Sequence, residues 1–212
     1  MNRERQYILA SGSPRRIEMM RAHGYEPVIC PADIEENMPL HSGMRETVMF
    51  LAFKKAKAVE AKYLAERGLA AGGPPDGGQV TSGQSGQGSP IIIAADTIVY
   101  KDEIIGKPHD KDDARRILTS LAGDTHYVAT GCALLEAGCE HARVFVEVTK
   151  VFVNEVDPAA IEAYINTDEP YDKAGAYAIQ GTFGKYIDHI EGDYDNVVGF
   201  PWTRIEKELE KL

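Results

Sequence analysis

Residues 91–108 read IIIAADTIVYKDEIIGKP, and no other stretch constrains the chain as tightly. Ile91 to Ala95 is an apolar run of strand type, Asp96 interrupts it, and Thr97-Ile98-Val99-Tyr100 resumes it. A carboxylate inside such a run is costly to bury unless it meets a cation, a metal or a hydrogen-bond donor. Gly106-Lys107-Pro108 then places a cation after a tight turn. This puts Asp96 and Lys107 at one mouth of a sheet, the first able to hold metal or take a proton, the second able to hold phosphate. The competing reading is a salt-bridged structural Asp96 and a surface Lys107.

A chain of 212 residues fits one domain or a two-lobed one and buries roughly 70% of its unfolded surface, so it needs no disulfide staples. Its three cysteines, Cys30, Cys132 and Cys139, form no CxxC pair, which points to inert thiols in a reducing cytoplasm. No apolar run reaches the roughly 18 residues of a membrane span, and the first residues lack the apolar core of a signal peptide. The net charge of −10 repels nucleic-acid backbones, so any anion site has to be made locally.

In chain order, Gln6 to Ala10 is expected as a short strand running into Ser11-Gly12-Ser13-Pro14-Arg15-Arg16. Ser13 suits an N-cap and Pro14 the first helical position, with the helix running to about His23 and Gly24 as its stop. The loop at Ser11, the free amides of the helix start and the guanidinium groups of Arg15 and Arg16 together make an anion site. Two arginines there oppose the helix dipole by a few tenths of a kcal/mol, so an anion is expected to offset them. Tyr25 to Ala32 is expected as a second strand. Asp33 to Asn37 then holds three carboxylates in five residues, either plain surface or, beside a phosphate site, a source of oxygen ligands for a divalent ion.

Met44 to Arg67 has the period of a long helix, with Val48, Leu51, Ala52, Lys55, Val59 and Tyr63 on one stripe. Lys55 either snorkels from that stripe or projects into a polar cleft. Residues 68–90, GLAAGGPPDGGQVTSGQSGQGSP, have no period and no aromatic residue, and are expected as a flexible insertion within a single domain spanning 1–212. Further on, Asp110 is expected to cap a helix through Leu121, and Thr125–Glu136 and Ala142–Glu155 to form a hairpin across 137–140. A helix is expected from Asp157-Pro158, strands at 187–190 and 196–198, and a closing helix over 201–212. Glu169 to Gly181 packs charge, glycine and aromatics closely; an amide such as Gln180 can read a base edge there. Hairpins mixed with helical crossovers argue for an α/β or α+β fold on one mixed sheet, with a cleft between two lobes.

SGSPRR at 11–16, the lysine of KKAKAV at 54–59, ADTIV at 95–99, GKP at 106–108, LAGDTHYVATG at 121–131, EPYDKAGAYAIQG at 169–181 and GDYDNVVGFP at 192–201 together resemble the Maf family of nucleoside triphosphate pyrophosphatases. The likeness spans most of the chain outside 68–90. It implies an α/β fold: a long mixed β-sheet flanked by helices, two lobes and a central cleft. It implies hydrolysis of a nucleoside triphosphate to the monophosphate and pyrophosphate by a cytoplasmic homodimer, using a divalent metal cation, Mg²⁺ or Mn²⁺. On the matching positions Asp96 is the catalytic base, and Glu36, with Asp96, serves the metal. Ser11, Arg16, Lys55 and Lys107 contact phosphate. Arg15, Thr97 and Gln180 form the combination that the resemblance assigns to dTTP and UTP. Ala178 stands where glycine is common and Phe200 where leucine is common, neither in the inferred chemistry.

The partner so implied is a small-molecule nucleotide, with no nucleic acid and no membrane. Two alternatives stay open on sequence alone. One is a pyrophosphatase acting on methylated GTP or another modified nucleotide. The other is a non-enzymatic nucleotide-binding regulator of septum formation, which would have no use for Asp96 beside a triphosphate.

Overall fold

The structure, a computed structural model, describes residues 5–36, 42–69 and 88–212. Its strands are β1 (Tyr7–Leu9), β2 (Val28–Ile29), β3 (Ile91–Lys101), β4 (Glu103–Ile105), β5 (Thr125–Glu136), β6 (Ala142–Val153) and β7 (Ile187–Glu191). The helices are α1 (Pro14–Ala22), α2 (Met44–Ala65), α3 (Lys111–Leu121), α4 (Pro158–Ile165), α5 (Tyr194–Val198) and α6 (Trp202–Leu209). The strands form one seven-stranded sheet in the order β2-β1-β3-β5-β6-β7, with β4 paired to β3. β1 runs parallel to β2 and β3, and the remaining pairs are antiparallel, so this is the mixed α/β sheet expected.

The sheet has a break that matters. β1 pairs with β3 only as far as Leu9–Ile93, and β4 joins the same strand only from Val99–Ile105. Between those points β3 has no paired strand on that side among the described residues, and Asp96 and Thr97 lie in the gap. Because side chains alternate along a strand, Asp96 points to the same face as Ile92, Ala94 and Ile98, which α2 covers. Thr97 points to the other.

That other face carries two apolar clusters. One gathers Met20, Ile91, Ile93, Leu134, Phe200 and Trp202 around α1 and α6. The second gathers Val99, Leu118, Val128, Val151, Ile161 and Phe183 around α3 and α4. A polar belt of Thr97, Thr130, Thr149 and Asn196 separates them. One continuous sheet thus carries two separate apolar clusters on that face.

On the α2 face, contact is close because Gly131 has no side chain. It pairs with Asp96 across the β3–β5 ladder, and a Cβ on it would stand 2.2 Å from the carbonyl oxygen of Val48. The buried stripe of α2 includes Val48, Leu51, Ala52, Ala56 and Val59, with Tyr63 at its margin.

Several local expectations need correcting. The strand expected over Tyr25–Ala32 shrinks to Val28–Ile29, flanked by Pro27 and Pro31, which lack the N–H a ladder needs. Asn196-Val197-Val198 is helical, not extended. Asp193 caps α5 by accepting from the Asp195 amide at 3.0 Å, and Gly199 closes it at φ 102°. A short apolar run cannot be assigned by periodicity alone. Ser13 stands at the N-cap of α1 but makes no side-chain cap; Ser11 Oγ accepts from its amide at 3.2 Å instead. Asp110 does cap α3, accepting from Asp113 at 2.8 Å. Apart from residues 68–69 and 88–90, the insertion expected over 68–90 lies outside the described residues. No helix among the described residues is long and apolar enough to cross a membrane.

Candidate active site

Asp96 is 7% exposed, so its charge needs an answer, and α2 supplies it. Lys55 Nζ donates to Asp96 Oδ1 at 2.5 Å and lies 2.8 Å from Glu36 Oε1. One ammonium from α2 therefore bridges two carboxylates, one on β3 and one in the loop after β2. The neighbouring Lys54 donates to the Glu35 carbonyl, so α2 grips that acidic loop through its backbone as well. Of the adjacent acids, Glu36 is the one on Lys55.

Burial pushes the Asp96 carboxyl above its ordinary value, against the pull of Lys55 and with a further push from Glu36. Glu36, more open, is held below its ordinary value by the Lys55 hydrogen bond, helped by the charges of Lys55 and Lys107. Lys107 is exposed and close enough for Glu36 to feel it. Asp96 Oδ2 makes no hydrogen bond to another described residue. A raised, partly sequestered carboxylate with one free oxygen is suited to accept a proton from water.

The arginines divide their work. Arg16 turns inward, its Nε donating to the Gly199 carbonyl at 2.9 Å and its Nη1 to the Ala95 carbonyl at 2.8 Å and Ser11 Oγ at 3.2 Å. Its Nη2 donates to Thr97 Oγ1 at 3.1 Å. Four of the five guanidinium N–H groups are thus committed to protein acceptors. The charge expected to need an anion is met first by carbonyls, on the unpaired edge of β3 and at the end of α5. Arg15 is half-buried, and its charge reaches Asp172 in the 169–181 segment.

That segment is folded back firmly. Gly175 at φ 74° donates to the Gly106 carbonyl at 3.0 Å, tying it to the loop that carries Lys107. Glu169 accepts from the Thr182 amide at 3.0 Å, from Thr182 Oγ1 at 2.9 Å and from Tyr164 at 3.0 Å. Gln180 lies on the turn between these anchors, exposed, with no side-chain hydrogen bond to another described residue.

Asp96, Glu36 and Lys55 are therefore brought into contact, with Lys107 nearby. Arg16, Ser11 and Thr97 form a second contacting set on the opposite face of β3. Sequence reasoning missed Gly131, Gly199, Thr130 and Asn196. Their sequence signal was membership of the motifs at 121–131 and 192–201, which gave them no role; the sheet register supplies one by pairing Asp96 with Gly131 and Thr97 with Thr130.

A divalent ion of the kind expected here has two candidate carboxylates, Asp96 and Glu36, which already share one cation in Lys55. Among the described residues no cluster of three acidic, histidine or cysteine side chains forms a cage. Two hard oxygen donors without a cage suit an ion that completes its shell with substrate phosphate and water, as Mg²⁺ does.

The sequence profile of Maf-like proteins matches residues 6–212. A dTTP/UTP pyrophosphatase of Acetivibrio thermocellus is 40% identical over 203 residues, covering 96% of this chain and 93% of that protein. Another, from Agathobacter rectalis, is 40% identical over 211 residues, covering 98% of this chain and 97% of that protein. A third, from Geobacillus sp. (strain WCH70), is 37% identical over 209 residues, covering 98% of both. The chain belongs to the Maf-like protein family.

Proposed function

We propose that this protein hydrolyses dTTP and UTP to the nucleoside monophosphate and pyrophosphate. The observation that carries the proposal is Asp96, held by Lys55 beside Glu36 in the gap of the sheet with one oxygen free. Its relatives named dTTP/UTP pyrophosphatase supply the substrate.

In this reading Asp96 orients a water and takes its proton as the water oxygen bonds to the α-phosphorus. The bond from that phosphorus to the bridging oxygen breaks, and pyrophosphate leaves with the electron pair. Lys55, Lys107 and the remaining Nη2 hydrogen of Arg16 meet the charge of the phosphates, with Ser11 shaping the loop beneath them. Fixed cations at a developing charge supply much of such an acceleration. A divalent cation at Asp96 and Glu36 would add phosphate charge neutralisation. Arg15, Thr97 and Gln180 face the base and choose it. The protein acts as one domain, a cytoplasmic homodimer that takes a small nucleotide and not a nucleic acid.

Hydrolysis of UTP in ¹⁸O-labelled water, with Mg²⁺ or Mn²⁺, tests the bond cleaved. Label in UMP and unlabelled pyrophosphate are expected. Label in pyrophosphate, or release of orthophosphate, refutes attack at the α-phosphorus. Faster turnover of methylated GTP than of UTP refutes the pyrimidine assignment.

A further inference from the structure

Lys55 sits on the two carboxylates that a divalent ion would need. Its Nζ donates to Asp96 Oδ1 at 2.5 Å and lies 2.8 Å from Glu36 Oε1. The pair with Asp96 is shielded, the two side chains being 17% and 10% exposed, while Glu36 is open. The contact is also braced from behind. Lys54, next on α2, donates to the Glu35 carbonyl and so holds the acidic loop against the helix that carries Lys55.

An ammonium and a divalent ion compete here for the same oxygens. Two carboxylates carry two charges, and Lys55 cancels one of them. An ion that enters beside Lys55 meets half the negative charge and two oxygens already engaged. An ion that displaces Lys55 leaves an ammonium in a shielded place without its partners. Either way the protein alone binds the ion weakly, because the affinity of an oxygen site follows the charge of its ligands.

A triphosphate removes both obstacles. It offers the three N–H groups of Lys55 new anionic acceptors, and it brings the ion further oxygen ligands. Lys55 then turns from the carboxylates to the phosphates, and Asp96 and Glu36 are left to the ion.

We infer that Lys55 withholds the carboxylate pair from divalent ions until a nucleotide draws it away, so that ion and nucleotide bind as one coupled event. The inference rests on Asp96 and Glu36 as the ligands of the ion, as in the function proposed above. Such coupling is reciprocal, each ligand strengthening the other by the same factor.

Binding of Mn²⁺ to the nucleotide-free protein, with free Mn²⁺ counted by EPR at pH 8, tests this without turnover. Lys55→Met is expected to bind Mn²⁺ about tenfold or more tightly than wild type, although a cation-contacting group has been removed and not added. Lys55→Arg, which keeps the charge, should stay within about threefold of wild type. Glu36→Gln added to Lys55→Met should abolish the gain. No gain in Lys55→Met, beside weakened binding in Glu36→Gln alone, overturns the inference and leaves the carboxylate pair as the metal site. A gain that survives Glu36→Gln overturns the inference and the metal placement together. If Lys55→Met does not fold, the wild-type protein decides. Acetylation of Lys55 by acetic anhydride, followed by peptide mass mapping, should quicken several-fold as Mn²⁺ saturates the protein, and an unchanged rate overturns the inference.

Discussion

Replacing Gly131 with alanine should disable the site without touching any group in it. A Cβ at 131 would lie 2.2 Å from the carbonyl oxygen of Val48, 2.3 Å from its carbon and 2.6 Å from the Met49 nitrogen. These are backbone atoms of α2, so no side-chain rotamer relieves the clash. Restoring ordinary contact, 3.4 Å or more, requires α2 to move off the sheet by on the order of 1 Å. Lys55 lies two turns further along that helix and holds Asp96 at 2.5 Å. Overpacking of this kind costs about 1–3 kcal/mol of stability, and a misplacement of ~1 Å in a catalytic constellation costs on the order of 10²-fold in turnover. Urea denaturation and steady-state hydrolysis of dTTP on the same preparation measure both. Val48→Ala added to Gly131→Ala should restore neither, because the obstruction is main chain. Wild-type stability and turnover in Gly131→Ala would refute the claim that α2's contact with β5 sets the Lys55–Asp96 geometry.

Two further outcomes are expected. His126 is fully buried, with Nε2 2.7 Å from the Tyr177 hydroxyl and Nδ1 without a hydrogen-bond partner among the described residues, and burial, helped by Lys101, depresses its pKa to about 4. A folded pKa below the unfolded value of 6.5 adds stability that is fully present above pH 6.5 and is lost as pH falls toward 4. Between those limits the wild type should lose about 3 kcal/mol more than His126→Gln, measured by urea denaturation across pH, and parallel curves would contradict this. Glu36→Gln should raise the Mg²⁺ concentration for half-maximal rate roughly tenfold, and an unchanged requirement would remove Glu36 from the metal site.

The strongest sequence signals were those tied to one element's own chemistry. A carboxylate inside an apolar strand run required a cation, and Lys55, on the apolar stripe of a long helix, proved to be that cation. The Asp110 cap, the hairpin across 137–140 and the start of α4 at Asp157-Pro158 are set by residues a few positions apart, and the structure has them as expected. What stayed hidden depends on pairing between distant segments. Nothing local says that Gly131 lies across from Asp96, or that β1 leaves β3 at Ile93. The helix start points to Arg16 as a phosphate ligand; within the protein its side chain donates to two carbonyls and two hydroxyls, and those of Ala95, Thr97 and Gly199 are brought near only by the assembled fold. Asn196 was lost because a one-turn helix and a short strand look alike in three residues, and its amide holds the polar belt together.

The central claim is that Asp96 is the base in a reaction whose substrate is bound by other groups. The most direct test measures dTTP hydrolysis and dTTP binding together in Asp96→Asn. The account expects kcat to fall by about 10²–10⁴-fold while binding stays within a few-fold of wild type. Near-normal turnover by that variant would contradict it.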